Sequence, residues 1–329
     1  MSNKGFFIIS LDFELFWGVR DKRKIKDYKE NILGVRTVIP RLLEIFNKYD
    51  ISATFAVVGF LFAKNKEELI ACSPEILPDY VNPRLSPYGD YMKTVGESAE
   101  TDPFHFGLDM IDLIKKYPQY EIATHTYSHY YCLEAGQTEI EFRQDLSSAI
   151  IIGLKNNVEY KSIVFPRNQC NEDYLLICLA NGIKSFRGET PTWFSGTKKI
   201  RRLLFLKKAL KFIDSYLNIS GHNTFDIEKI SAKKPYNLQG SRFLYPSERK
   251  NTFSKIKVAR IKKSMTFAAK RNLVYHLWWH PHNFGKNVDS NLNMIEEILN
   301  HYAFLNKKYN FTSLNMKGLS EYIDEISDK

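Results

Sequence analysis

The sequence predicts an α/β protein built on parallel strands. Short runs of β-branched and aromatic residues alternate along the chain with longer segments of helical apolar spacing. Such alternation is typical of a parallel sheet flanked by helices. Titratable side chains follow several of the predicted strands, at the end where parallel (β/α) barrels place their chemistry. The first strand delivers Asp12 and Glu14, and buried carboxylates without a partner cost free energy, so we expect them to have a function.

Each element follows from its local pattern. The predicted strands lie within FFIISLDFELFWG, ISATFAVVG, YEIATHTYSH, KSIVFPRNQ, IKSFRG and LVYHLWWHPH, with a short strand in the last segment, FTSLNMKGLSEYIDEI. Helices are predicted over residues 27–49, 106–118, 138–156, 171–182 and 290–309, and at the C-terminal end. Thr138 and Glu141 have the spacing of a capping box. Residues 60–106 contain five prolines and are predicted to be irregular.

Composition limits the class of protein. The chain has 329 residues, 44% of them apolar and 26% charged, which is typical of a globular protein of one large domain or two ordinary ones. No apolar run is long enough for a bilayer-spanning helix, and the N-terminal apolar stretch is too short for a signal peptide. We therefore expect a cytoplasmic protein, with contact at the inner face of the membrane as an option. The four cysteines show no CxxC spacing and are predicted to be buried thiols.

Positive charge is concentrated in one segment. Residues 197–264 contain 18 Lys and Arg against 4 Asp and Glu, a balance of +14, so the rest of the chain carries 10 − 14 = −4. We interpret this segment as a basic insertion within a single domain spanning residues 1–329. Residues 198–217 form a basic amphipathic stretch that could lie on an anionic membrane surface, but a helix packed on the barrel with a solvated lysine face is the favoured interpretation. Nucleic-acid binding has only the charge in its favour and is not expected.

Four side chains suggest a metal site. His125 and His129 are four residues apart, which places both imidazoles on one face if the chain turns into a helix there. Asp12 and Glu14 are two residues apart on a strand and face the same side. Two histidines with one carboxylate form a common three-ligand set, and the second carboxylate could act as a base. The alternative is a pair of exposed acids that form salt bridges with nearby arginines.

Two further strand ends carry candidate residues. Arg167, in FPRNQ, could keep a catalytic carboxylate ionised and oriented, or form a surface ion pair. His280 and His282, in WWHPH, follow an aromatic strand, and a histidine there could act as a general acid or pack in the core.

The ordered motifs resemble the polysaccharide deacetylase family, carbohydrate esterase family 4. The resemblance rests on an acidic end to the first strand, then SATFAVVG, EIATHTYSH, FPRN and WWHPH, and it extends from about residue 6 to 187 and again from 273 to the end. It implies a distorted (β/α) barrel of about seven parallel strands. Phe13 stands where the family has its metal-binding aspartate. Three alternatives follow: Glu14 replaces that ligand, Asp12 binds the metal with help from Glu14, or the metal is lost. The arginine motif also differs, because Pro and Arg are exchanged.

The resemblance further implies a reaction and roles for these residues. The implied reaction is removal of an N-acetyl or other acyl group from a sugar, with a divalent metal, zinc above all, held by Glu14, His125 and His129. Asp12 would be the base, His280 the acid, and Arg167 the arginine that orients the base. Implied contacts with the sugar are Trp17, Tyr127, Tyr130, Trp279 and His282. The cytoplasmic location favours an acetylated sugar linked to a nucleotide or polyprenyl carrier, as in capsule or lipopolysaccharide synthesis. A metal-free amide hydrolase of a non-sugar and a non-catalytic glycan-binding protein are the alternatives.

Overall fold

Nine parallel strands form the centre of the protein. The computed structural model describes residues 4–189, 213, 214, 216, 218–230, 233–247 and 251–327. The strands in these residues are β1 Phe6–Phe13, β2 Ala53–Val57, β3 Tyr120–Thr124, β4 Ser162–Val164, β5 Ser185–Arg187, β6 Tyr236–Asn237, β7 Arg242–Phe243, β8 Val274–Trp279 and β9 Thr312–Leu314. Their order in the sheet is β6-β5-β4-β3-β2-β1-β8-β7, with β9 pairing with β1 at its N-terminal half. Every residue of β1 is buried, as expected for a strand covered on both faces.

One bent segment joins the two ends of the curled sheet. The backbone N–H groups of Leu238 and Gly240 donate to carbonyls of Phe186 and Gly188, beside β5. A few residues later, the N–H groups of residues 241 and 244 donate to carbonyls on β8. The segment that contains β6 and β7 therefore occupies a single position between β5 and β8. Counted this way, and without β9, which pairs only with β1, the barrel has seven strand positions, and the predicted distorted barrel is confirmed.

Helices cover the outside of the barrel. In the described residues they are α1 Ile25–Leu33, α2 Val35–Lys48, α3 Lys66–Ala71, α4 Asp90–Lys93, α5 Leu108–Lys115, α6 Glu139–Lys155, α7 Leu175–Ala180, α8 Ile227–Ile230, α9 Asn251–Ala269, α10 Val288–Tyr309 and α11 Met316–Ser327. Short 3₁₀ turns occur at Gly59–Phe62, Pro83–Leu85, Pro166–Asn168, Glu172–Tyr174 and Pro281–Phe284. The capping box predicted at α6 is confirmed, with Thr138 and Glu141 each bonding the other's backbone N–H. No helix among the described residues is long and apolar enough to cross a bilayer.

Three predicted elements need correction. The helix predicted over residues 27–49 is two helices that meet at Gly34, where a Cβ would overlap the backbone of Gly285. Residues 60–106, predicted to be irregular, contain α3 and α4. The basic segment 197–264 is not simply inserted into the barrel, because it supplies β6, β7 and most of α9. Apart from residues 213, 214 and 216, the stretch 198–217 proposed for membrane contact lies outside the described residues.

Candidate functional site

Chemically active side chains gather at the carboxyl ends of the barrel strands. Asp12 is the penultimate residue of β1, and Glu14 directly follows that strand. His125 follows β3, His280 follows β8, and Arg187 is the last residue of β5. Because the strands are parallel, these ends all open onto the same rim of the barrel.

Glu14, His125 and His129 form a buried cluster in which one ligand atom from each residue lies within 4.8 Å of the others. Glu14 Oε2 is 2.9 Å from His129 Nε2 and 3.3 Å from His125 Nε2. His125 Nδ1 donates to the Val164 carbonyl over 2.7 Å, so Nε2 of the neutral ring carries a lone pair. That Nε2 is buried without a hydrogen-bond partner among the described residues. A buried lone pair facing a carboxylate fits a cation between them, so the cluster suits a divalent metal ion.

The backbone around this cluster is strained. Leu15, Thr126 and His129 have φ angles of 45°, 63° and 60°. Residues with a Cβ rarely adopt this left-handed region, and such strain is concentrated at functional sites. Gly18 lies against the Glu14 carboxylate, and a Cβ at position 18 would overlap that group. Glycine is therefore required here for close approach.

Asp145, on α6, fixes the loop between the two histidines. Its carboxylate accepts hydrogen bonds from the backbone N–H groups of Tyr127, over 2.7 Å, and Ser128, over 3.1 Å. It also accepts one from the Ser128 hydroxyl. Burial raises the pKa of Asp145 to about 6, even though these three hydrogen bonds favour the carboxylate. The buried acid therefore positions the histidine loop rather than the substrate.

Asp12 is paired with an arginine that sequence analysis missed. Arg187 donates from Nη1 to Asp12 Oδ1 over 2.6 Å and from Nη2 to Oδ2 over 2.7 Å, and both side chains are buried. Burial opposes ionisation of Asp12, but the charge and hydrogen bonds of Arg187 outweigh it and lower the pKa of Asp12. Asp12 is therefore a carboxylate at neutral pH. The Arg187 guanidinium also lies 4.0 Å from the centre of the Trp278 ring.

A hydrogen-bonded chain holds Arg187 from behind. Arg187 Nη1 donates to Ser10 Oγ over 3.0 Å, and Ser10 Oγ lies 2.7 Å from His276 Nε2. His276 Nδ1 lies 3.0 Å from the Leu238 carbonyl, to which it must donate, so Nε2 accepts from Ser10. Burial, with the nearby Arg187 charge, lowers the pKa of His276 to about 3 and keeps the ring neutral. His276 is therefore a structural histidine.

The structure corrects the predicted role of Arg167. Its guanidinium pairs with Asp21 and, over 3.3 Å, with Glu134, so it does not pair with the Asp12 carboxylate. Arg167 and Asn168 have φ angles of 56° and 53°, and in this turn it is Asn168 that faces Arg187. Asn168 Oδ1 accepts a hydrogen bond from Arg187 over 3.1 Å. The arginine that pairs with Asp12 is thus the last residue of β5 and not the arginine that follows β4.

The two late histidines lie beside both carboxylates. His280 Nε2 is 3.4 Å from Asp12 Oδ2 and 3.7 Å from Glu14 Oε1, and its side chain is 23% exposed. His282 Nε2 is 3.8 Å from Glu14 Oε1, and burial lowers the pKa of His282 to about 3. The two rings stack, with their centres 5.1 Å apart. His280 is therefore the histidine that a bound molecule can reach.

The electrostatics of the cluster favour metal ligands in their binding forms. Burial opposes ionisation of Glu14, but the surrounding histidines outweigh it and hold the pKa of Glu14 well below its ordinary value. Burial lowers the pKa of His129 to about 4, against the opposing effect of Glu14. Near neutral pH the cluster thus offers a carboxylate and a neutral imidazole, which are the forms that bind metal.

A pocket of about 320 Å³ opens over these residues. It is lined by Asp12, Glu14, His129, Arg167, Asn168, His280 and His282, by Lys22 and Arg23, and by the aromatic side chains of Tyr28, Phe243 and Trp278. Aromatic rings and titratable groups thus line the same small cavity. This combination suits a ligand that has both apolar faces and polar edges.

Four aromatic residues predicted to contact a substrate lie in the core instead. Trp17, Tyr127, Tyr130 and Trp279 are each at most 1% exposed. In β8 the prediction chose the wrong one of two adjacent tryptophans. Successive strand residues point to opposite faces, and Trp278, not Trp279, faces the pocket. The indole of Trp17 donates to the backbone carbonyl of residue 105 over 2.8 Å, which satisfies its N–H within the core.

Comparisons with known proteins agree with this architecture. The family model for polysaccharide deacetylase matches residues 30–186, from α1 into β5. Asp12, Glu14, Arg187 and His280 thus lie outside the matched range. The comparison with curated proteins finds no matching sequence.

Solved structures show the same fold at low sequence identity. A protein classed as a polysaccharide deacetylase from Mycobacterium smegmatis has a TM-score of 0.60 at 12% identity, covering 99% of this chain and 93% of that chain. Puue allantoinase has a TM-score of 0.54 at 10% identity, with 98% and 91% covered. The chain therefore has the barrel fold of these structures, and its residues 30–186 are similar to the polysaccharide deacetylase family.

Proposed function

We propose that this protein is a metal-dependent hydrolase that removes an N-acetyl or other acyl group from a sugar. The observation that carries the proposal is the orphaned, buried Nε2 of His125, which faces the Glu14 carboxylate beside His129. The Asp12–Arg187 pair and His280 adjoin this cluster at the mouth of the same pocket.

Glu14, His125 and His129 would hold the ion. Their nitrogen and oxygen atoms suit zinc, and also cobalt, nickel or manganese. A divalent ion there would polarise the acyl carbonyl and acidify a bound water molecule. Phe13 is buried in the core and has no ligand atom, so Glu14 would take the place of the aspartate found in the family motif.

The remaining residues of the site would move protons. Asp12, held ionised and oriented by Arg187, would accept the proton of the attacking water. His280, reachable from the pocket, would give a proton to the nitrogen of the sugar as the carbon–nitrogen bond breaks. The products are a carboxylic acid and an amino sugar. Arg187 is a positioning residue in this scheme, because it acts through Asp12.

The pocket supports a sugar as the group that carries the acyl chain. Trp278, Phe243 and Tyr28 offer aromatic faces, and Asn168 and His282 offer polar atoms at the same cavity. The proposal includes a carrier for that sugar. The sugar would be linked to a nucleotide or a polyprenyl group, as in surface-polysaccharide synthesis.

Assays of acyl release test this function. Purified protein, chelated and then reloaded with zinc, should release acetate from an N-acetylated amino sugar linked to a nucleotide, and the chelated protein should not. Asp12→Asn should keep the metal and lose turnover by about 100-fold or more, as expected for loss of a general base. Hydrolysis of a ureide such as allantoin by the chelated protein would instead support a metal-free amide hydrolase. Glycan binding without acetate release by the loaded protein would support a binding protein.

A further inference from the structure

A second groove adjoins the site pocket and has a different character. It encloses about 1130 Å³ between residues 20–24 and residues 77–94. Lys22 and Arg23 line both the groove and the site pocket, so the two cavities are neighbours that share these two side chains. A molecule whose sugar lies over Asp12 and Glu14 would therefore extend past Lys22 and Arg23 into the groove.

The groove has an excess of positive charge. Its cationic side chains are Arg20, Lys22, Arg23, Lys24 and Arg84, and its acidic side chains are Asp21, Asp79 and Asp90. Two of the three acids are already neutralised, because Asp21 pairs with Arg167 and Asp90 pairs with Lys93, and neither partner lines the groove. Within the described part of the chain, no carboxylate lies within 4.0 Å of the side-chain nitrogens of Arg23, Lys24 or Arg84. The side chains of these three exposed residues are therefore available to bind an anionic ligand.

One buried side chain holds together the two backbone segments that carry these cations. Arg20 is buried, and its guanidinium donates to the backbone carbonyls of three consecutive residues, Arg84, Leu85 and Ser86. The same guanidinium lies 5.2 Å from the centre of the Tyr91 ring. One buried side chain thus ties the strand-end segment that carries Arg23 and Lys24 to the loop that carries Arg84. The groove is formed before any ligand binds.

The rest of the groove is apolar. Leu77, Pro78, Pro83 and the tyrosines at positions 80, 88 and 91 line it. Leu77 is 43% exposed, which leaves apolar surface available to a ligand. The groove therefore combines arginine guanidinium groups, which can donate paired hydrogen bonds to phosphate oxygens, with apolar surface on which an organic group can pack.

We propose that this groove binds a phosphate group of the substrate together with the organic group that it carries, so that the acyl sugar is delivered as a phosphate-linked sugar. This inference rests on the proposed function for the position of the sugar, but the groove's affinity for phosphate can be measured without any turnover. A nucleoside diphosphate and a polyprenyl diphosphate share the chemistry that the groove recognises. The test therefore uses a probe of each kind.

Calorimetric titration of the full-length protein with UDP, farnesyl diphosphate and inorganic pyrophosphate, at low ionic strength, tests the proposal. Lys24→Glu/Arg84→Glu changes two groove residues that do not line the site pocket. We expect this variant to bind the preferred probe at least about tenfold more weakly than the wild type does. Lys26→Glu/Lys29→Glu makes the same charge change on α1, outside the groove, and should retain wild-type affinity. Tighter binding of UDP or of farnesyl diphosphate than of pyrophosphate identifies the organic group.

Two results would overturn the proposal. One is that the wild type binds none of the three probes. The other is that the groove variant and the α1 control lose affinity equally, because this would show a general charge effect. Failure of the proposed function is visible separately. If only the groove proposal is right, His125→Ala/His129→Ala should still bind the phosphate probe. If only the proposed function is right, the wild type should hydrolyse neutral acetylated sugars as fast as their phosphate-linked forms.

Discussion

Arg187 donates to both carboxylate oxygens of Asp12, over 2.6 and 2.7 Å, although the two residues are 175 positions apart in the chain. The pair joins the ends of β5 and β1 across the mouth of the barrel. It explains how a buried acid at the end of the first strand stays ionised, because the fixed positive charge outweighs the cost of burial. It also identifies which arginine supports the proposed base.

Arg187→Ala should damage both stability and activity. Removing one partner of a buried ion pair costs about 3–5 kcal/mol, measured by denaturant unfolding. The pKa of Asp12 should rise, so the acidic limb of the kcat/KM pH profile should move to higher pH. A merely structural role would leave that limb in place.

Arg167→Ala is the matched control for this change. Its partners, Asp21 and Glu134, are not in the proposed reaction, so the acidic limb should stay at its wild-type position. A shift of the limb in Arg167→Ala, with none in Arg187→Ala, would return the role to the arginine predicted from the sequence.

Gly18→Ala should weaken metal binding without unfolding the barrel. The added Cβ would overlap the Glu14 carboxylate and displace it from the two histidines. We expect a loss of about 10- to 100-fold in metal affinity, as is typical when a residue supporting a ligand is changed. Competition with a chelating dye measures this affinity. Gly318→Ala, in α11, adds the same methyl group in a helix away from the site and should leave the affinity unchanged.

The buried carboxyl of Asp145 should make stability fall as pH rises. Its pKa in the folded state, about 6, lies above the ordinary value of 3.8, so the folded protein favours the protonated form. The stabilisation is present below the ordinary value and is lost as pH rises through the folded value. At 1.36 kcal/mol per pKa unit the whole shift is worth about 3 kcal/mol, and wild type should lose about 2 kcal/mol of it relative to Asp145→Asn between pH 4 and pH 7. Urea unfolding of both proteins across this range checks it, and a pH-independent difference would show that Asp145 does not titrate there.

The adjacent tryptophans of β8 should behave differently when each is replaced by alanine. Trp278 lines the pocket, so Trp278→Ala should raise KM by about 3- to 10-fold, the cost of one aromatic contact. Trp279 is fully buried, so Trp279→Ala should cost about 3–5 kcal/mol of stability. Thermal unfolding and steady-state kinetics on both variants test the assignment. The opposite pattern would mean that the register of β8 is shifted by one residue.

Much of this fold could be predicted because its strands are apolar and its helices periodic. The ends of those strands also indicated Asp12, His125 and His280, since parallel strands deliver their last residues to one rim. Arg187 ends the predicted strand IKSFRG and could have been found by the same rule. The prediction chose Arg167 instead, because FPRN at the end of the preceding strand resembles the arginine motif of the family.

Other features leave no local pattern. β6 and β7 have two residues each, too few for any periodicity, although the segment containing them joins the ends of the sheet. In β8 the run of apolar side chains does not alternate with polar ones, so its two faces look alike in sequence. The groove beside the site brings together residues 20–24 and 77–94, and only the folded chain shows that proximity.

Metal content tests the central claim most directly. Protein purified without chelator, and incubated with zinc where needed, should contain about one ion per chain by elemental analysis. Glu14→Gln and His125→Ala/His129→Ala should each lose that ion, while Asp12→Asn should retain it. A wild type that holds no metal and takes up no added zinc would contradict the account. Retention of the ion in Glu14→Gln with its loss in Asp12→Asn would instead make Asp12 the ligand.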